Sequence, residues 1–377
     1  MSVAISVVES PAELKEFVHF PLRLYKGNQF WVPPLLRDER DTLTPGRNPA
    51  LKNAERELLL ARRDGRTVGR VAAILSHPAN EKFGTKNLRF GWFETIDDYE
   101  VTEALFSAVE EWGRRKGMTT LTGPQGFTDL DFEGLLVEGY TERATILTIY
   151  NPPYYPRHLE RYGFAKEVDY VEFQGLTPEG TALPEKLVKM AEWAARRNSL
   201  RLARYGNIRK MRKERARELF DLLNETFDEL YGTTPLTQEQ RDYYIARYIP
   251  FANPEFIKIV VNEKDEMVGF LLSLPSLSAA FQKARGRLFP LGFAYILHAL
   301  RKFDTLDLYV AGVKKPYRGK GVDLIMTVDL FRSALAHGVR FSESNPELET
   351  NKKVQNEWKI VATRQHKRRR IYKKSIT

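Results

Sequence analysis

Val313-Lys314-Lys315-Pro316-Tyr317-Arg318-Gly319-Lys320-Gly321-Val322 is the stretch on which the fold of this chain turns. It follows residues 306–313, an apolar run that reads as a strand. It precedes residues 322–337, where Leu324, Ile325, Val328, Phe331 and Leu335 share one helical face and Gly338 is placed to end the helix. Glycines in such a turn let backbone amides approach a ligand closely, and the helix N-terminus adds a partial positive charge. The layout is that of a pyrophosphate cradle.

Upstream, residues 256–261 and 267–274 form two apolar runs joined by Glu263-Lys264-Asp265. Residues 58–62 and 67–75 have the same form around Asp64-Gly65, a hairpin turn in which glycine takes positive φ. Each second run carries a Val-Gly pair, Val68-Gly69 and Val268-Gly269, and the offset of 200 positions (268 − 68) points to an internal duplication. The elements that follow repeat as well. Residues 88–93 are a predicted strand, and Val101, Leu105, Ala108, Val109 and Trp112 mark one face of a helix stopped by Gly117. Short strands are expected at 119–122 and 339–342, helical stretches after Asn151 and Asn351, and closing strands near 170–173 and 370–373. Helix, hairpin, strand, helix, strand, helix, strand therefore occurs twice. Leu176-Thr177-Pro178-Glu179-Gly180 is the turn-rich joint between the halves. Residues 184–198 form a bridging helix, and 201–205 and 214–230 open the second half as strand and helix.

The quoted stretch resembles the coenzyme A loop of the GCN5-related N-acetyltransferases (GNAT), Arg/Gln-x-x-Gly-x-Gly/Ala after a Val-rich strand, with Arg318 and Gly321 on its first and fourth positions. The resemblance implies an α/β fold of two GNAT-like modules, each a mixed, mostly antiparallel sheet flanked by helices. Their expected bounds are 1–180 and 181–377. It further implies an acyl-coenzyme A cofactor, acetyl or longer, held by Val313, Arg318, Gly319, Lys320, Gly321, Val322, Asp323 and Leu324, and no metal. The amide near Val313 would serve as oxyanion donor. Asn351 would border the pantetheine arm or simply cap its helix. Asp323 departs from the family, which has Gly or Ala there, and sets a carboxylate close to the phosphates. For general base and acid the candidates by position are Glu349, Glu343, Tyr309 and Tyr372, since the family's usual tyrosine on the last helix is replaced by the region of Trp358.

The first half keeps the family's Gly-Phe close, from Asn151-Pro152-Pro153-Tyr154-Tyr155 to Gly163-Phe164, but lacks the loop. Phe93-Glu94-Thr95-Ile96-Asp97-Asp98 puts acidic groups where phosphates would sit, so this half is expected to shape structure or substrate. The resulting expectation is N-acyl transfer to a small or amino-acid-like amine. Two other classes fit parts of the sequence: a catalytically silent GNAT-like binding protein, and a Fem-like enzyme using aminoacyl-tRNA. The tandem layout also resembles mycothiol synthase.

Composition bounds these readings. The chain has 377 residues, 42% hydrophobic and 29% charged, enough for two domains with proper cores. No cysteine is present, which excludes disulfides, thiolate metal sites and a cysteine nucleophile. The 59 basic against 49 acidic residues give +10 and favour anionic partners. The first residues lack a secretory pattern, so a cytoplasmic protein is expected, its oligomeric state open to a homodimer. Residues 288–300 are too short for the ~20 apolar residues that span a bilayer, and residues 289–303 are expected to pack in the core, although they could flank an acyl pocket or graze a membrane. The basic tail 364–374 is expected to be a closing strand with a basic, pairing-averse edge rather than a nucleic-acid site. Thr128-Asp129-Leu130-Asp131-Phe132-Glu133-Gly134 starts like a calcium loop but has Tyr140 at its twelfth position, so it reads as a solvated loop.

Overall fold

A computed structural model describes residues 2–177, 180–249, 252–358 and 362–377; Pro178 and Glu179 of the expected joint, and residues 359–360 of the expected last helical stretch, lie outside the described residues. The strands are β1 (Ala4–Val7), β2 (Ala54–Arg63), β3 (Arg66–Ser76), β4 (Asn87–Thr95), β5 (Thr120–Gly123), β6 (Leu135–Glu138), β7 (Ala165–Leu176), β8 (Arg201–Leu202), β9 (Ile257–Val261), β10 (Met267–Pro275), β11 (Thr305–Val313), β12 (Phe341–Ser344), β13 (Glu347–Leu348) and β14 (Ala362–Ser375). The helices are α1 (Pro11–Leu24), α2 (Leu36–Thr42), α3 (His77–Phe83), α4 (Tyr99–Arg115), α5 (Tyr154–Arg161), α6 (Glu185–Arg197), α7 (Ile208–Phe227), α8 (Gln238–Tyr248), α9 (Ser278–Ala284), α10 (Gly292–Arg301), α11 (Val322–Ala336) and α12 (Lys352–Glu357).

Both hairpins fall where the turns predict them. Asp64 and Gly65 take positive φ, as does Asp265 in the second turn. The two halves build like structures: β3 pairs β4 antiparallel with Gly69 opposite Thr95, and β10 pairs β11 with Gly269 opposite Val313. A helix then crosses back to a parallel neighbour, α4 between β4 and β5 and α11 between β11 and β12. Amphipathic spacing makes this possible. Val101, Leu105, Val109 and Trp112 of α4 bury against Leu59, Ala61, Val71 and Leu88, while Val322, Ile325 and Met326 of α11 bury against Val260, Val268 and Ala194.

One continuous sheet results, in the order β1-β2-β3-β4-β5-β14-β7-β12-β11-β10-β9-β8. Its centre is an exchange. The last strand of the chain, β14, lies against β5 of the first half, and β7, which closes the first half in sequence, lies against β12 of the second. β14 and β7 also pair antiparallel with each other along most of their length. The basic tail is thus a central strand and not the pairing-averse edge its charge suggests. Carboxylates on its neighbours make this tolerable. Arg369 and Glu172 form a buried ion pair, Lys367 lies 3.4 Å from Glu172 and 3.3 Å from Glu343, and Arg370 lies 2.8 Å from Asp169. Burial alone would raise the Glu172 carboxyl, but Arg369 and Lys367 hold it below its ordinary range.

Candidate functional site

β11 ends at Val313, and a short turn of residues 314–321 leads into α11. Gly319 and Gly321 both sit in the left-handed region, with φ of +76° and +78°. At Gly321 a side chain is excluded twice, because an added Cβ would stand 2.6 Å from the Ala194 methyl of α6. Gly321 is also the N-cap of α11 and offers no side chain to its first amides, which leaves them open to an outside acceptor. Val322 is buried, while Asp323 and Leu324 are half-buried in the first turn of the helix. Around the turn, Lys320 lies over the Tyr317 ring, and Arg318 Nε donates to the Val313 carbonyl at 3.2 Å. One carboxylate already occupies this cationic rim: Glu229 lies 2.8 Å from Lys315 and 3.4 Å from Arg318, and these partners hold its pKa below the ordinary value.

The second part of the site is a splay between parallel strands. β12 pairs β11 only from Thr305 to Leu308, and Asn345 then caps the pairing by donating to the carbonyls of Leu308 at 3.1 Å and Tyr309 at 2.8 Å. Past that point no strand lies on this edge of β11 among the described residues. Lys314 N donates to Val268 O at 2.8 Å, so by the alternation of an antiparallel ladder the N–H of Val313 points the other way, into the splay.

The first half has the same splay, and it is filled. Thr95 is the counterpart of Val313 in register, and its amide donates to Tyr155 Oη at 2.9 Å while its carbonyl accepts from Tyr154 Oη at 2.6 Å. Tyr155 donates in turn to Glu94 Oε2 at 2.8 Å, and Tyr25 is hydrogen-bonded to the same oxygen. Glu94 is buried, and burial pushes its carboxyl up to about 7. Helix α5 thus closes the cleft of the first half with its two tyrosines. In the second half Gln355 of α12 donates to the carbonyls of Leu348 and Glu349, and Asn351 caps the helix by accepting from Val354 N at 3.5 Å.

The four catalytic candidates are scattered. Tyr309 follows the splay point on β11, four residues before Val313, with its hydroxyl buried and without a hydrogen-bond partner; burial raises its pKa well above the ordinary value. Glu343 lies on β12 beside Lys367 and accepts from Gln174 at 3.2 Å. Glu349 is held by Lys166 at 2.6 Å and Arg368 at 3.2 Å. Tyr372 is buried in the core of the first half and donates to Glu160 at 3.1 Å, carried there by the exchange of β14. One group escaped the sequence: Asp307, 2% exposed, with Glu343 and Ser276 near its carboxyl. Burial, helped by Glu343, pushes it up to about 8. A carboxylate between Leu306 and Leu308 in an otherwise apolar strand was the available signal. The segment expected to be a solvated loop is half-buried: Asp131 accepts from the amides of Phe127 and Thr128, and burial lifts Asp129 to about 7 and Glu133 to about 8.

Solved structures share this architecture from end to end. The tandem GNAT protein from the clavulanic acid biosynthesis pathway covers 100% of this chain and 99% of its own at 14% identity, with a TM-score of 0.56. A GCN5-related N-acetyltransferase from Sphaerobacter thermophilus covers 99% and 96% at 13% identity, with a TM-score of 0.50. The chain has the tandem GNAT fold. No protein-family model matches the sequence. Among proteins of similar sequence, the bacterial ceramide synthase of Caulobacter vibrioides is 28% identical, over 99% of this chain and 98% of its own. Protein YghO of Escherichia coli K12 is 25% identical, over 97% and 93%. Within this tandem GNAT fold the open splay and the glycine turn adjoin in the second half, and the described residues contain no cluster able to hold a metal ion.

Proposed function

We propose that this chain transfers an acyl group from acyl-coenzyme A to the amine of an amphiphilic acceptor, using the second half's splay and turn. The observation that carries the proposal is the contrast between Val313 and Thr95. Among the described residues only Arg318 meets the Val313 backbone from a side chain, at its carbonyl and just before a glycine turn, whereas both backbone groups of Thr95 are sealed by Tyr154 and Tyr155. The residues fit the cofactor. Gly321 is packed too tightly for any side chain, the first amides of α11 are free for phosphate, and Arg318, Lys315 and Lys320 supply charge. Asp323 and Glu229 oppose it.

When bound, acyl-coenzyme A supplies an activated thioester. The protein supplies orientation and an N–H at Val313 aimed where a carbonyl oxygen gains charge. Asp307 and Tyr309 lie ~20 and ~13 Å back along β11 at ~3.3 Å per residue. Their part is to set the field of the cleft rather than to touch the reacting carbon. For the acceptor, the sequence pointed to a small amine; the likeness to the Caulobacter ceramide synthase shifts the proposal to a long-chain amine, since a ceramide is an N-acylated long-chain amino alcohol.

The test pairs acyl-coenzymes A of short and long chain with a long-chain amino alcohol and with small amines. Released coenzyme A is read by a thiol reagent, which a chain without cysteine leaves at zero background. Amide product on the long-chain acceptor supports the proposal. Absence of thiol release and product with every pair, from protein whose thermal shift also ignores coenzyme A, overturns it.

A further inference from the structure

Residues 289–303 were expected in the core, and most of them lie open to solvent. Ile296 packs against Leu277, Ala280 and Phe281, with Ala299 and Leu300 beside them. An adjoining flank of the same helix carries Phe293 and Leu297, which with Leu291 and Phe289 lie open to solvent; Phe289 is 75% and Leu291 60% exposed. α10 carries His298 and Arg301 as well, and its apolar surface extends beyond the part that the fold covers. The Phe289 and Phe293 rings sit 5.9 Å apart, so the exposed side chains form a patch and not scattered residues.

The charge around the patch has one sign. Between Glu266 and Asp304 the sequence contains no carboxylate, while Lys283, Arg285, Arg287, Arg301 and Lys302 all fall in that interval. All five are exposed, and none has an ion-pair partner among the described residues. Beside them, between α9, α10 and residues 25–33, opens a cleft of about 1220 Å³ whose walls include Phe30, Trp31, Phe289 and Tyr295. An apolar wedge ringed by unpaired cations complements one surface: the interface of an anionic bilayer, with headgroup phosphates on the cations and acyl chains on the wedge. We infer that the α9–α10 corner docks this protein peripherally on anionic membranes, with the cleft mouth facing the lipid. No helix among the described residues is long and apolar enough to cross a membrane. The inference concerns binding alone and does not rest on acyl transfer.

The experiment is sedimentation of the full chain with vesicles of phosphatidylethanolamine and phosphatidylglycerol, against phosphatidylcholine vesicles, without acyl-coenzyme A or amine. Binding to the anionic vesicles should weaken with salt. Arg285→Glu and Arg287→Glu should each weaken it about fivefold or more, following ~1 kcal/mol per interfacial cation. Leu291→Ser/Phe293→Ser should abolish it while circular dichroism and melting remain as in the parent. Phe289→Trp should show a blue-shifted emission that lipid-borne bromine quenches. Equal binding to both vesicle types, no quenching of the Trp, or a concentration-dependent dimer that the Leu291→Ser/Phe293→Ser pair dissolves would overturn the inference, the last by assigning the patch to a second copy of the chain.

Discussion

Glu229 and Asp307 show how single carboxylates set the behaviour of the site. Glu229 occupies the cations a phosphate would need, so Glu229→Gln should tighten coenzyme A binding about threefold, the scale of an exposed ion pair, with the gain shrinking at high salt. Isothermal titration at two ionic strengths checks this; an unchanged affinity would mean the phosphates bind elsewhere. Asp307 acts on stability. Its folded pKa of about 8 lies above the ~3.9 of an unfolded aspartate, so between those values the folded state holds the extra proton and stability falls as pH rises. Glu94, Asp129 and Glu133 push in the same direction over windows ending at about 7, 7 and 8. Asp307→Asn should therefore flatten the loss of urea resistance between pH 6 and pH 8.5; a slope equal to the parent's would remove Asp307 from the account. None of these groups stands out by spacing. Asp307 lies between Leu306 and Leu308, and sequence alone does not say which strands are covered on both faces.

At the scale of elements, the duplicated hairpin, the glycine turn and the helix behind it were legible because each is a local pattern: a positive-φ turn, a stripe of apolar residues, a glycine stop. The plug of the first splay was not. Tyr154 and Tyr155 are ordinary aromatics on a short helix, and only the register of β4 against α5 puts their hydroxyls on Thr95. Tyr155→Phe removes one of two donors to Glu94 and the acceptor for the Thr95 amide, and leaving that amide buried and unpaired costs about 1–3 kcal/mol. Urea denaturation should show that loss while coenzyme A affinity stays as in the parent. Reduced affinity would place the cofactor in the first half. The basic tail was misread at this scale as well, because a strand dense in arginine and lysine belongs at an edge unless its neighbours carry the matching acids, and those acids lie far off in sequence on β7.

For the molecule as a whole, the exchange of β7 and β14 ties the two halves into one sheet. Calorimetry should give a single transition rather than two, since melting either half strips a strand from the other. Two resolved transitions would show that the halves are held less tightly than the pairing of β14 with β5 requires. The same exchange dictates a timetable. A ribosome delivers β1 to β5 first, yet the strand that completes their sheet is residues 362–375. Until those residues emerge, the nascent first half waits with β5 uncovered on the flank that β14 will occupy, a sticky edge for the whole of that interval. A chain cut short before residue 362 therefore spoils the part of the protein made first, and nascent-chain chaperones have their clearest task on a segment that had emerged long before.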